Sequence, residues 1–172
     1  TRSVLSRLPD LQVLLFGDQA LIEPLLVGFD QSILSRIHIQ HTAESIRMDD
    51  SVMVALRQKR QSSMRLAIEA VRDGQADACV SAGNTGALMV LGRSVLKTLP
   101  GIDRPAIISA VPTRHGHSYM LDLGANVDCA AEHLLQFAIM GSVMTQAVEK
   151  IAEPRVGLLN VGQEETKGNE QV

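Results

Sequence analysis

Short apolar runs, each closed by turn residues, alternate along this chain with stretches that read as helices, and that alternation limits the fold more than any other feature. The runs are Leu11-Gln-Val-Leu-Leu-Phe16, Arg36-Ile-His-Ile-Gln40, Ala76 to Ser81, Ala106-Ile-Ile-Ser-Ala-Val111, Ser118 to Asp122 and Arg155 to Asn160. Their length and their flanking Gly, Asp and Asn predict strands, except that Arg36 to Gln40 reads as one by its alternation of Ile with polar residues. Between them, helices are expected at the tail Thr1 to Leu8, at Gln19 to Val27, at Ser51 to Gln58, from Met64 to about Arg72, up to about Thr98, and from Ala130 to Lys150. Asp18 caps the second of these and Pro24 shortens or kinks it, while Asp73-Gly74 closes the fourth. Arg114 to His117 reads as a hairpin-like link. Strands interleaved with helices predict an α/β fold of three layers around a mostly parallel sheet. The expected organisation is a single α/β domain over residues 1–172. With Thr1 at one end and Asn169-Glu-Gln-Val172 at the other, the expectation is a fragment of a longer domain.

In parallel sheets, ligands bind beyond the carboxyl ends of strands. Here those ends read Ser81-Ala-Gly-Asn-Thr-Gly86, Val111-Pro-Thr113, Asp122-Leu-Gly-Ala-Asn126 and Asn160-Val-Gly-Gln-Glu164, and all but the second combine glycine with Asn, Asp or Glu. The first is the most informative. Gly83 and Gly86 let a ligand approach the backbone, Ser81, Asn84 and Thr85 supply donors and acceptors, and the N–H groups of the following helix start favour an anion. The plainer alternative is a βα turn capped by Asn84 or Thr85. Neither G-x-G-x-x-G nor G-x-x-x-x-G-K-[ST] occurs, so a phosphate here would be held by neither a dinucleotide fingerprint nor a Walker loop.

Further clusters carry two readings each. Asp122 and Asn126 orient a ligand, or else Asn126 or Asp128 caps the next helix. In Asn160-Val-Gly-Gln-Glu-Glu-Thr-Lys-Gly168, Lys167 neutralises an anion while Glu164 and Glu165 move a proton, or the acids simply pair with Lys167 in a solvated loop. Lys59-Arg60 with Ser62 and Ser63 hold a phosphate at a helix start, or form a surface pair and an N-cap. Cys129 and His133, one turn apart, make a thiolate–imidazole pair only if a third group orients them, and none is evident. His115 and His117 lack partners at metal-ligand spacing, so no metal and no cofactor is expected.

The net charge of −3 argues against wholesale nucleic-acid binding, and aromatics make up only 2% of residues, too few for base stacking. Cys79 and Cys129 are too few for a disulfide framework, which suits a cytoplasmic protein. The helix Ala130 to Lys150 is apolar nearly all round yet too interrupted for a membrane span. It calls for burial on both sides, at a subunit interface or inside the protein.

Taken in order, Lys59-Arg-Gln-Ser-Ser-Met64, Asp77-Ala-Cys-Val-Ser-Ala-Gly-Asn-Thr-Gly-Ala-Leu-Met89, Asp122-Leu-Gly-Ala-Asn-Val-Asp-Cys129, Gln136-Phe-Ala-Ile-Met-Gly141 and Asn160 to Gly168 resemble the PlsX-type phosphate acyltransferases of bacterial phospholipid synthesis. The resemblance implies transfer of a long-chain acyl group from acyl carrier protein to inorganic phosphate, giving acyl phosphate. It also implies an isopropylmalate-dehydrogenase-like α/β/α fold, a homodimer, and a cytosolic protein associated peripherally with the membrane, where a downstream membrane acyltransferase uses the product. The family's glycine-rich N-terminal strand, Asp-x-Met-Gly-Gly-Asp, is not in this sequence. On this reading Asn84, Asp122, Asn126, Asn160 and Lys167 do the catalytic work. Lys59, Ser62, Ser63, Ser81, Gly83, Thr85, Gly86, Glu164, Glu165 and Gly168 bind substrate or phosphate. A rival from another class is a non-catalytic module binding phosphate or carrier protein at the membrane surface. A dehydrogenase of related fold is weakened by the missing glycine fingerprint.

Overall fold

The computed structural model describes residues 1–126, 128–160 and 162. It divides into two compact units, Thr1–Lys97 and Thr98–Val172. In the first, α1 (Arg2–Arg7) precedes β1 (Val13–Gly17), and a crossover leads to β2 (Ile37–His41). The two strands pair in parallel, from Val13 opposite Ile37 to Gly17 opposite His41. Parallel strands cannot be joined by a tight turn, and the crossover consists of α2 (Gln19–Ile22), a 3₁₀ segment (Glu23–Leu26) and α3 (Gln31–Leu34). Asp18 caps α2 by accepting from the Ala20 N–H at 3.0 Å. Pro24 lies at the start of the 3₁₀ segment, which is why one expected helix became two short pieces.

Arg36 fastens this part together. Its guanidinium donates to the carbonyls of Leu5 (2.8 Å), Leu8 (2.8 Å), Pro9 (3.1 Å) and Leu11 (3.3 Å), and its Nε to that of Ser32 (3.0 Å). Those oxygens at the end of α1 have no partner within the helix, and only a planar fork with several donors can serve so many at once. Arg36→Lys is expected to lower the unfolding free energy by about 1–3 kcal/mol, measured by urea denaturation. An unchanged midpoint would show that water replaces the fork without loss.

α4 (Val52–Arg57), α5 (Ser63–Arg72) and α6 (Thr85–Leu96) build the core of this unit. Ala55, Met64, Ile68, Ala87, Leu91 and Val95 form one buried cluster, with Ile46, Leu56, Cys79 and Leu88 around it. Ala87, Leu91 and Val95 are spaced four residues apart, which keeps them on one helix face. Leu91 is fully buried, so Leu91→Ala is expected to cost about 2–5 kcal/mol in the same denaturation measurement. A loss below about 0.5 kcal/mol would mean that the cluster is not a close-packed core.

The second unit holds β3 (Ser109–Thr113) and β4 (Gly116–Met120), an antiparallel hairpin running from Ser109 opposite Met120 to Thr113 opposite Gly116. It also holds α7 (Ala131–Glu149). The hairpin is tied to the end of α7: Glu149 accepts from the Tyr119 hydroxyl at 2.6 Å and lies 3.2 Å from His117 Nε2. Those two contacts hold its carboxyl below the usual range. One side of α7 is covered, with Phe137 buried and Gly141 facing Leu121 so closely that a Cβ would sit 3.2 Å from it. Leu135, Ile139 and Val143, spaced along another face, are exposed. The expected burial of α7 on both sides is therefore met on one. Among the described residues, no helix is long and apolar enough to cross a membrane.

The fold is α/β with a small parallel sheet. Two expected strands are not formed. Residues 76–81 form no ladder, with a bend at Asp77, and Val80 is 96% exposed. Their first N–H groups belong to the helix before them: Gly74 turns the chain at φ +70°, and the N–H groups of Gln75 and Ala76 donate to the Ala70 carbonyl. Residues 155–160 likewise form no strand, with Leu159 78% exposed. A strand exists only through the neighbour that takes its N–H and C=O groups, and neither run pairs with a described strand. The expected Ala106 to Val111 strand begins later, at Ser109. The N–H of Ile107 goes instead to the Asp122 side chain.

Candidate functional site

The loop ahead of α6 is set by one side chain. Asn84 Oδ1 accepts from the Ala87 N–H at 3.0 Å, capping the helix. Its Nδ2 donates to the carbonyls of Arg47 (3.3 Å), Met48 (3.2 Å) and Asp50 (3.2 Å). Ser81 Oγ accepts from the Gly83 N–H at 3.2 Å, folding the loop upstream. A Cβ on Gly83 would come within 3.0 Å of Met64 Cε, so the loop lies directly on the core. The first-turn N–H groups of Thr85 and Gly86 have no intrahelical acceptor, and both residues are exposed. The cap expected at Asn84 or Thr85 is thus Asn84. It takes neither of those two N–H groups.

The turn that Asn84 grips is closed by Asp50, whose Oδ2 accepts from the Arg47 N–H at 2.7 Å and from the Lys59 ammonium. Lys59 also donates to the Ser45 carbonyl at 2.8 Å. The ammonium hydrogen bond is the main cause, and the Arg47 N–H the next, that hold the Asp50 carboxyl below its ordinary range. Lys59 is therefore joined to an acid of its own protein. Ser62 is fully buried and donates to the Lys59 carbonyl at 2.8 Å. At the α5 start, the Ser63 N–H donates to the Glu44 carbonyl at 3.0 Å, and the Gln61 N–H to the Glu44 carboxylate at 2.7 Å. An anion arriving there would meet a carboxylate already in place. Arg60, the neighbouring cation, is exposed.

In the second unit, Asp122 and Asn126 are hydrogen-bonded to each other. Asp122 Oδ1 accepts from the Ile107 N–H (2.7 Å), and Oδ2 from the Asn126 N–H (2.7 Å) and Nδ2 (3.3 Å). Asn126 Nδ2 also donates to the Pro105 carbonyl at 3.0 Å. The pair folds residues 122–126 back onto 105–107, with Gly124 at φ +85° making the turn. Neither Asn126 nor Asp128 caps α7. Its N-cap is Ala130, whose own N–H donates to His133 Nδ1 at 3.0 Å. The Cys129 thiol donates to the Asn126 carbonyl at 3.8 Å and not to His133, so the thiolate–imidazole pair that the sequence disfavoured is not formed. Burial pushes the Cys79 thiol up, away from a nucleophile's range.

Asn160 is partly buried. Glu164, Glu165, Lys167 and Gly168 lie outside the described residues. Among the described residues, no group of three or more His, Cys, Asp and Glu could hold a metal ion. The residue that sequence reasoning missed is Asp50. The available signal was an acid just before, and a lysine just after, a helix of six residues. A lysine stem bridges a helix that short.

Because Asp50 titrates below the ordinary carboxyl value of about 3.9, its ion pair stabilises the fold fully above that value and is lost as pH falls through the lowered one. Lys59→Met is expected to move the Asp50 pKa upward, read by carboxyl-carbon NMR titration. An unmoved value would mean that the Arg47 N–H alone sets it.

A family model described as fatty acid synthesis protein matches residues 3–172. The chain is similar to proteins named phosphate acyltransferase. One, from Methylococcus capsulatus, is 56% identical over 164 residues, 95% of this chain and 48% of that protein. Another, from Shewanella loihica, is 56% identical over 173 residues, 100% and 51%. A third, from Pseudomonas syringae pv. syringae, is 58% identical over 168 residues, 98% and 49%. The chain spans about half the length of these curated relatives.

Proposed function

The chain belongs to the fatty acid synthesis protein family of PlsX-type phosphate acyltransferases, and from that premise we propose that it forms part of an enzyme moving a long-chain acyl group from acyl carrier protein to inorganic phosphate. A phosphate oxygen attacks the thioester carbonyl carbon, the C–S bond breaks, and the carrier's thiolate leaves and takes up a proton. The products are acyl phosphate and free carrier thiol. Phosphate is itself the nucleophile, so the protein has to hold it, offset its charge and aim it. No protein acyl-thioester is needed, in keeping with Cys79 and Cys129 being poorly set up for one.

The observation that carries this reading is the α6 start, where Asn84 takes the Ala87 N–H and the exposed Thr85 and Gly86 have first-turn N–H groups without an intrahelical acceptor. These groups would cradle phosphate, or the oxyanion formed on attack. Lys167 and Arg60 would lower the repulsion, Glu164 or Glu165 would pass the proton, Asn160 would help orient the substrate, and Gly168 would help bind it. Asp122 and Asn126 would act by fixing the 105–107 segment. In the whole enzyme we expect a three-layer sheet, a homodimer, and a cytoplasmic protein held peripherally at the membrane. There its acyl phosphate would pass to a membrane acyltransferase.

The test incubates the full-length protein with palmitoyl-loaded acyl carrier protein, with and without inorganic phosphate, and follows free thiol and acyl phosphate together. Phosphate-dependent release of both is expected. Asn84→Ala is expected to lower turnover on the order of 10²-fold, the scale of a misplaced reacting group. Carrier binding without release of thiol would replace the enzyme by a binding module.

A further inference from the structure

Lys59 looks by composition like a phosphate ligand, yet its ammonium is hydrogen-bonded to the Asp50 carboxylate and to the Ser45 carbonyl. The Asp50 carboxylate also takes the Arg47 N–H, closing the 47–50 turn. The carbonyls of that turn, those of Arg47, Met48 and Asp50, are the ones on which Asn84 Nδ2 rests. The other end of the same carboxamide caps α6 at Ala87. Hydrogen bonds joined through the backbone of the 47–50 turn therefore connect Lys59 and Asp50 to Asn84 and the helix start. Both ends of the ion pair are largely shielded, with side-chain exposures of 21% and 15%, so solvent competes weakly for it.

We propose that Lys59 and Asp50 are positioning residues for the phosphate-holding start of α6, acting through Asn84 and not by contact with phosphate. The inference rests on the reading of the α6 start given above. A planar carboxamide that must satisfy carbonyls on one side and an N–H on the other fixes its own plane. Moving the 47–50 turn therefore swings the cap. When the cap swings, the Thr85 and Gly86 N–H groups lose the direction in which they would meet an anion. Charge at Lys59 matters here because it holds Asp50, and Asp50 matters because it holds the turn.

The experiment makes Lys59→Met, Asp50→Asn, the double variant and Lys59→Arg in the full-length protein. Turnover is measured against inorganic phosphate, and amide hydrogen exchange at Thr85, Gly86 and Ala87. Lys59→Met and Asp50→Asn are each expected to raise the phosphate KM several-fold with little change in kcat. The double variant should be no worse than the worse single, as for two links of one chain. Lys59→Arg should keep most of the wild-type KM because it keeps a cation beside Asp50. Exchange at the three amides should quicken in the Met and Asn variants and stay near wild type in the Arg variant. A raised KM in Lys59→Met with none in Asp50→Asn, or effects that multiply in the double, would make Lys59 a direct phosphate ligand and overturn the proposal. So would unchanged exchange in both variants. If the wild type shows no phosphate-dependent turnover, the acyltransferase reading falls, while the exchange measurement still decides the coupling from Lys59 to α6.

Discussion

One carboxamide sets the geometry on which the first unit's candidate site depends. Asn84 meets three carbonyls of a preceding turn with its nitrogen and the α6 cap with its oxygen. The helix it starts carries Ala87 and Leu91 into the core between α4 and α5. Cap and core therefore constrain each other: the buried face fixes the rotation of α6, and the cap fixes where its first turn begins. A buried amide left without partners is costly, which is why an exposed loop of small residues holds a definite shape here.

Polar residues in the other unit are spent in a similar way. Both carboxylate oxygens of Asp122 accept backbone N–H groups, and Asn126 bridges to Pro105. Such residues shape a loop whatever binds there. The reaction proposed for the family suits this distribution. A reaction whose nucleophile is the substrate asks the protein for position and charge more than for a reactive side chain, and no nucleophile–base pair is assembled among the described residues. The cations and open N–H groups would then matter most, and their placement depends on side chains that touch only protein.

Much of this was legible along the chain. Asp18 and Asp73-Gly74 marked helix ends, and Pro24 marked a break, because each acts within a few residues of itself through a cap, a positive φ or a missing N–H. Apolar periodicity located α4 to α7 to within a few residues. The runs at 76–81 and 155–160 misled for one reason: composition reports that a segment suits a strand, not whether a neighbour is present to receive its hydrogen bonds. Lys59 shows a different limit. A lysine near serines suggests phosphate, and only its distance to an acid nine residues earlier in sequence reveals that it already has a partner.

The sequence by itself determined the α/β class, the helix ends and the family, since these rest on local conformational preference and on residues in a fixed order. Only the tertiary structure decided which polar residues are spent on the protein itself. Asp50 with Lys59, Glu44 with Gln61 and Asp122 with Ile107 are contacts between segments that the chain brings together by burying apolar faces elsewhere. Hydrogen bonds depend on distance and angle over a few tenths of an ångström. No linear pattern carries that information before the core has set the backbone in place.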